Sequence, residues 1–154
     1  GLLFHYFPTK TDFHQAVVQA AGRRVLRTVR PDEDAAGEVA LRQIVERYVE
    51  QIQRRRASYI ALVFGQPNGV ASLGGEVVAT LRTNLTTLVI DTVGLPTSSH
   101  DVVHGWVAYV EDRALELEPH QGTRTATTAA TAATAAVIAH CVAALHALIA
   151  LSPS

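Results

Sequence analysis

The segment 41–52 reads LRQIVERYVEQI and decides the fold class of this chain. Its apolar side chains recur at intervals of three and four residues, which places them on one face of an α-helix; a strand would require alternation. Charged and amide side chains occupy most of the other positions, so the segment predicts an amphipathic helix with one buried face. The residues expected on that face are Leu41, Ile44, Val45, Tyr48 and Ile52.

The same helical spacing extends in both directions from this segment, with Pro and Gly marking the breaks. Thr9 or Thr11 is expected to cap the first long helix, and Ser98 or Ser99 the fifth. No alternating strand pattern or hairpin signal appears, so the sequence predicts an all-α helical bundle of about six helices. Their expected spans are about 13–29, 35–54, 58–65, 73–93, 99–119 and 124–151.

The composition favours one soluble globular domain. Among 154 residues, 48% are apolar and 18% charged, which is enough apolar surface for a core and too little charge for a disordered chain. The single cysteine excludes an internal disulfide and fits a reducing, cytoplasmic compartment. Segment 125–151 lacks charged residues, but its Ala and Thr content with two histidines favours an interface helix over a membrane span.

The charge is distributed unevenly along the chain. Residues 1–30 contain five basic side chains and one acidic one, whereas the remainder contains eight basic and thirteen acidic side chains. A basic end on an acidic body predicts contact with a polyanion at one pole. The chain also opens directly on an apolar run without a polar lead-in, so we expect further residues to precede Gly1.

The opening segment 1–13, GLLFHYFPTKTDF, resembles the end of the helix-turn-helix in TetR-family transcription regulators. In that family a small residue, two apolar positions and aromatic residues close the recognition helix, and a short turn with a lysine opens the next helix. The resemblance implies that 1–12 end a DNA-binding domain and that 13–154 form a TetR-like ligand-binding and dimerisation domain.

The same resemblance implies roles for individual opening residues. His5 and Tyr6 correspond to groove-facing positions, and Lys10 is placed to donate to a DNA phosphate at the start of the next helix. Phe4 departs from the family, which usually has a tyrosine there, so that backbone contact lacks its hydroxyl. The implied DNA-contacting residues are Gly1, Phe4, His5, Tyr6 and Lys10.

The resemblance also implies that the body holds a small-molecule effector, here a hydrophobic one, in a helical cavity. Such a ligand regulates DNA binding only if its affinity differs between two spacings of the DNA-reading heads, with helix 13–29 as the lever. Aromatic or polar residues on otherwise apolar faces are the candidates for its contacts. They are Tyr48, Gln51, Ile52, Tyr59, Phe64, Leu81, Asn84, Leu88, Trp106, Tyr109, Val110 and Arg113.

The last two helices are expected to form a homodimer. Small Ala and Thr side chains cover almost every face of the final helix, and two helices from each subunit would make a four-helix bundle across a two-fold axis. The expected interface residues are Trp106, Arg113, Ala126, Ala130, Ala133, Val137, His140 and Cys141.

Catalytic and metal chemistry find little support. His100 and His104 lie four residues apart on a helix, but a metal site needs a third ligand. Neither a Gly-rich phosphate loop nor a nucleophile elbow is present. We therefore expect no enzyme, metal or cofactor, and a ligand-responsive repressor that binds operator DNA. The alternatives are a helical interaction module without DNA reading and a small helical metalloenzyme.

Overall fold

The computed structural model describes residues 6–64, 71–117 and 124–152, with the side chains of 18, 62–64, 71–74 and 124–127 excepted. Within these ranges the chain is all-helical and has no strand, as its apolar periodicity predicts. A 3₁₀ turn, Thr97–Ser99, precedes the fifth helix. The helices are α1 (Lys10–Val29), α2 (Gly37–Arg54), α3 (Arg56–Phe64), α4 (Ala71–Val93), α5 (His100–Glu116) and α6 (Arg124–Leu151).

A capping box fixes the start of α1. Thr9 is the N-cap, and its Oγ1 accepts the N–H of Asp12 at 3.0 Å while the Asp12 carboxylate accepts the N–H of Thr9 at 3.0 Å. The exchange satisfies two backbone donors that a helix start leaves without partners. Of the two threonines expected as caps, Thr9 is therefore the one used, and α1 begins three residues earlier than its apolar pattern indicates.

α2 is the central helix of the core. It contacts α1, α4, α5 and α6, and all five side chains expected on its buried face are buried. A fully buried aliphatic side chain of this size contributes about 1.5–3 kcal/mol through removal from water, so this face is a major source of stability. The complete buried set on α2 is Ala40, Leu41, Ile44, Val45, Tyr48, Val49 and Ile52.

The turn between α4 and α5 reverses the chain. Gly94 has φ +74°, a left-handed conformation that glycine adopts without a Cβ penalty, and the amides of Gly94 and Leu95 both donate to the carbonyl of Ile90. Ser99, one of the two expected serines, is the N-cap residue of α5, but it has a helical backbone conformation and makes no side-chain cap bond. The 3₁₀ turn supplies backbone partners instead, and the His100 N–H donates to the Thr97 carbonyl.

The last helix, α6, covers the core with one narrow stripe. Its contacts are with α2 and α5, and most of its other described side chains are exposed. Residues 128–151 are also long and apolar enough to cross a membrane by length and composition. An 18-residue window within them has a mean hydropathy of 2.0, and 22% of that window is buried. The buried residues of the stripe are Ile138, Cys141, Val142 and Leu145.

Candidate functional site

The DNA-contacting residues implied by the family resemblance fall at the edge of the described chain. Gly1, Phe4 and His5 lie outside the described residues. Tyr6 is 70% exposed, and Lys10 is exposed in the first turn of α1, where the positive end of the helix dipole attracts anions. Both described residues are therefore accessible to a partner.

Phe7 anchors this opening segment on α1. Its ring meets the ring of Phe13 edge to face, with 5.3 Å between centroids. Such a contact stabilises the approach to the helix by about 0.5–1.5 kcal/mol beyond burial. Phe7 thus packs locally on α1.

The central part of the expected ligand cavity is closed by packing. The crevice lined by Tyr48, Trp106 and Val110 has a volume of about 10 Å³, which is room for about one water molecule. The neighbouring candidates Ile52 and Tyr59 are buried side chains of the same core. These five residues therefore pack against one another in the core, and the space between them is too small for an effector in this structure.

A buried polar network replaces that cavity. Glu111 is 2% exposed and accepts the hydroxyl of Tyr48 at 2.7 Å and the Nε of Arg82 at 2.7 Å. The Tyr48 proton is committed to Glu111, so the Tyr59 hydroxyl, 2.8 Å away, donates to Tyr48. Burial raises the pKa of both tyrosines, which keeps them protonated as donors. The network joins α2, α3, α4 and α5.

The ion pair within this network joins residues that are far apart in the sequence. An ion-pair cluster of Glu111, Asp112 and Arg113 is the pairing that adjacency in sequence favours. Glu111 instead pairs with Arg82, 29 residues away, whereas Arg113 pairs with Asp112 at 2.7 Å and Glu116 at 2.8 Å. The helix period explains this, because residue 111 points into the core while 112 and 116 point outward.

A well-formed cleft near the expected sites lies between α1 and α4. This cleft has a volume of about 220 Å³. α1 and α4 each contribute a stripe of polar side chains at intervals of four residues, and Gly22, Val77 and Leu81 supply its apolar lining. The polar lining consists of Gln15, Gln19 and Arg23 from α1 and of Glu76, Thr80 and Asn84 from α4.

Only a few of the expected ligand-contacting residues reach this seam. Leu81 and Asn84 line the cleft, and Leu88 lines a second groove that continues along the same two helices. Gln51 is half-buried on α2, and Phe64 lies outside the described side chains. The sequence carries one signal for the missed polar residues. Positions 15, 19 and 23 form one stripe with a spacing of four, and positions 76 and 80 form another with the expected Asn84, each on one helix face.

A polar cluster lies at the exposed junction of α5 and α6. The Tyr109 hydroxyl is 2.7 Å from Nε2 of His140, and the Arg113 guanidinium lies 5.6 Å from the centre of the Tyr109 ring. That stacking orients the arginine by a cation–π interaction. The three side chains, expected as ligand or interface residues, thus form one surface cluster.

The remaining expected interface residues divide into exposed and internal positions. Ala133 is exposed and Val137 is half-buried against the core. Trp106 and Cys141 are buried, so neither side chain is available on the surface of the folded chain. The Trp106 indole N–H donates to the backbone carbonyl of Cys141 at 2.8 Å. Ala130 is half-buried, and the side chain of residue 126 is outside those described.

The two spaced histidines form a pair without a third ligand. The rings of His100 and His104 stack with 6.1 Å between centroids, and Asp101 is bonded to His100 at 3.3 Å. Across residues 6–64, 71–117 and 124–152 no group of three metal-binding side chains comes together.

Comparison with protein-family models, with curated proteins and with solved structures finds no match for this chain. The TetR resemblance therefore depends on the opening residues and on the order and lengths of the helices.

Proposed function

We propose that this chain is the ligand-sensing and dimerising body of a TetR-like DNA-binding transcription regulator, acting in the cytoplasm by binding and not by catalysis. The observation that carries the proposal is the α1–α4 cleft, because one of its walls is the helix that begins at Lys10. A small molecule between the two helices favours one spacing of α1 over others. That difference in affinity is what a ligand needs to shift a conformational equilibrium.

The length of α1 supports its role as a lever. Arg23, in the cleft, is thirteen residues from Lys10, which is about 20 Å of helix at 1.5 Å per residue. A tilt of about 10° around the cleft moves the Lys10 end by roughly 3 Å. In a dimer two such shifts change the separation of the DNA-reading heads, which must match successive major grooves.

The exposed face of α6 supports the dimer. Ala133, His140 and Leu148 lie on the side of the helix that faces away from the chain's core. Small side chains allow a second helix to approach closely, and pairing α5 and α6 across a two-fold axis would cover this face. The polar cluster of Tyr109, His140 and Arg113 would then lie within or beside the interface.

The DNA-binding test uses the complete product of the gene that encodes this chain. We expect it to retard a specific palindromic DNA with a strong dependence on salt. Lys10→Ala should weaken binding to all sequences alike and reduce the salt slope by about one, because a phosphate contact carries no sequence information. The matched control is Arg42→Ala, which removes an exposed charge on α2. If the protein does not retard DNA even at low salt, the proposed DNA-binding function is refuted.

A helical interaction module without DNA reading is the second candidate, and the exposed apolar face of α6 favours it. Ala133→Glu places a charge on this face and should convert a dimer to a monomer in sedimentation experiments. The control Ala57→Glu, at an exposed position of α3, should leave the dimer intact. A dimer that fails to bind DNA favours the module. Recovery of the chain only with detergent would instead assign residues 128–151 to a membrane.

A further inference from the structure

We propose that the α1–α4 cleft binds a short zwitterionic peptide, about three residues long, by its charged ends; this identifies the effector class of the sensor proposed above and rests on that function. The cleft contains one cation and one anion, Arg23 and Glu76. Within the part of the chain that the structure describes, neither side chain forms an ion pair or a hydrogen bond. Both are therefore available to a ligand.

The two charges lie at opposite ends of the cleft. α1 and α4 advance along their seam in the same direction, because the groove beyond the cleft is lined by later residues of both helices, Leu26 and Arg30 with Asp91 among them. Glu76 is the first α4 residue of the cleft, whereas Arg23 is the last α1 residue. Eight residues of helix separate these levels, which is about 12 Å.

This length fits a tripeptide. An extended chain of three residues spans about 10 Å, and the side chains at both ends of the cleft reach inward to complete the distance. The ammonium group would meet Glu76 and the carboxylate would meet Arg23, whose guanidinium can hold a carboxylate by two parallel bonds. A dicarboxylate would place a like charge opposite Glu76.

The middle of the cleft suits peptide groups and one apolar side chain. Gln15, Gln19 and Asn84 each offer a donor and an acceptor, which matches the N–H and C=O of a peptide backbone. None of these three amides has a hydrogen-bond partner among the described side chains. Val77 and Leu81 form an apolar patch beside them, which can cover a central aliphatic side chain.

The test is isothermal titration of the full chain with Ala-Leu-Ala and with its N-acetylated and C-amidated forms. We expect the free tripeptide to bind and each blocked form to bind about five- to tenfold more weakly. Arg23→Gln should weaken the free peptide by the same factor and leave the C-amide unaffected, since the carboxylate is already absent there. Glu76→Gln should show the same pattern with the N-acetylated form.

Matched controls are Arg24→Gln and Glu46→Gln, which remove exposed charges outside the cleft and should leave the affinity unchanged. Equal loss in these controls, or equal binding of free and blocked peptides, overturns the proposal. The proposal is also overturned if all three peptides fail to bind while another small molecule releases the gene product from DNA. That result would still support the proposed regulator function. Peptide binding with the expected charge pattern supports the cleft assignment even if the gene product does not bind DNA.

Discussion

Replacing Glu111 by Gln should destabilise the fold by about 2–3 kcal/mol. The carboxylate lies at the centre of the buried network and accepts from Tyr48 at 2.7 Å and from two nitrogens of Arg82 at 2.7 and 2.5 Å. Glutamine keeps the shape of the side chain but removes the charge and turns one acceptor into a donor. The new amide N–H₂ must then face either the Arg82 guanidinium, which has no acceptor, or the Tyr48 hydroxyl.

The magnitude follows from the balance of these bonds. Removing one partner of a fully buried ion pair costs about 3–5 kcal/mol, and a hydrogen bond to a charged group contributes about 1.5–3 kcal/mol. The Arg82 side chain is 28% exposed, so water solvates part of its charge when the carboxylate is lost. The amide oxygen of the introduced glutamine also keeps one acceptor, which lowers the expected cost below the full value for a buried pair.

Urea denaturation followed by circular dichroism measures this loss of unfolding free energy. Tyr48→Phe should cost about 1–2 kcal/mol, because it removes one donor to Glu111 and the acceptor of Tyr59. The matched control is Glu116→Gln, which breaks an exposed pair with Arg113 and should change stability by at most about 0.5 kcal/mol. A Glu111→Gln loss no larger than that of the control would refute the role assigned to the network.

Three further changes test other parts of the fold. Thr9→Ala should lower the unfolding free energy by about 1 kcal/mol by removing the cap of α1, whereas Thr11→Ala, at an exposed position inside the first turn, should have little effect in the same urea titration. Gly94→Ala should lower the melting temperature, because a Cβ is strained at the Gly94 φ of +74°. Gly105→Ala should raise the melting temperature, because Gly105 lies within a helix and an added Cβ would meet open space. Shifts of equal sign in the two variants would contradict this reasoning. Burial raises the pKa of the Cys141 thiol to about 11, so iodoacetamide at about pH 8 should label the unfolded chain and spare the native one. Rapid labelling of the native chain would show that α6 is not packed as described.

The helices themselves could be predicted from local sequence. The apolar spacing from Leu41 to Ile52 is a property of neighbouring residues, and it fixes both the helix and the face that becomes buried. Gly94 and the capping threonine are equally local signals, since each acts on backbone groups within one turn. Ser99 is the N-cap residue of α5, but its side chain makes no cap bond, and the His100 N–H donates to the Thr97 carbonyl of the preceding 3₁₀ turn.

The candidate site could be predicted only in part. Leu81 and Asn84 were expected ligand contacts and line the cleft, but the aromatic candidates Tyr48, Tyr59 and Trp106 are core. An aromatic residue on an apolar face has the same pattern whether a cavity or a neighbouring side chain lies against it. The difference depends on how closely two helices approach, which is absent from the local pattern.

By itself, the sequence determined the helical class, the helix order and the main buried face, because helix periodicity and capping depend on residues within a turn of one another. The tertiary structure alone decided that Glu111 pairs with Arg82, that Trp106 and Cys141 lie inside the chain, and that α1 and α4 leave a polar cleft between them. These features depend on the placement of helices distant in sequence, where the packing of many side chains sets which faces meet and which gaps remain open.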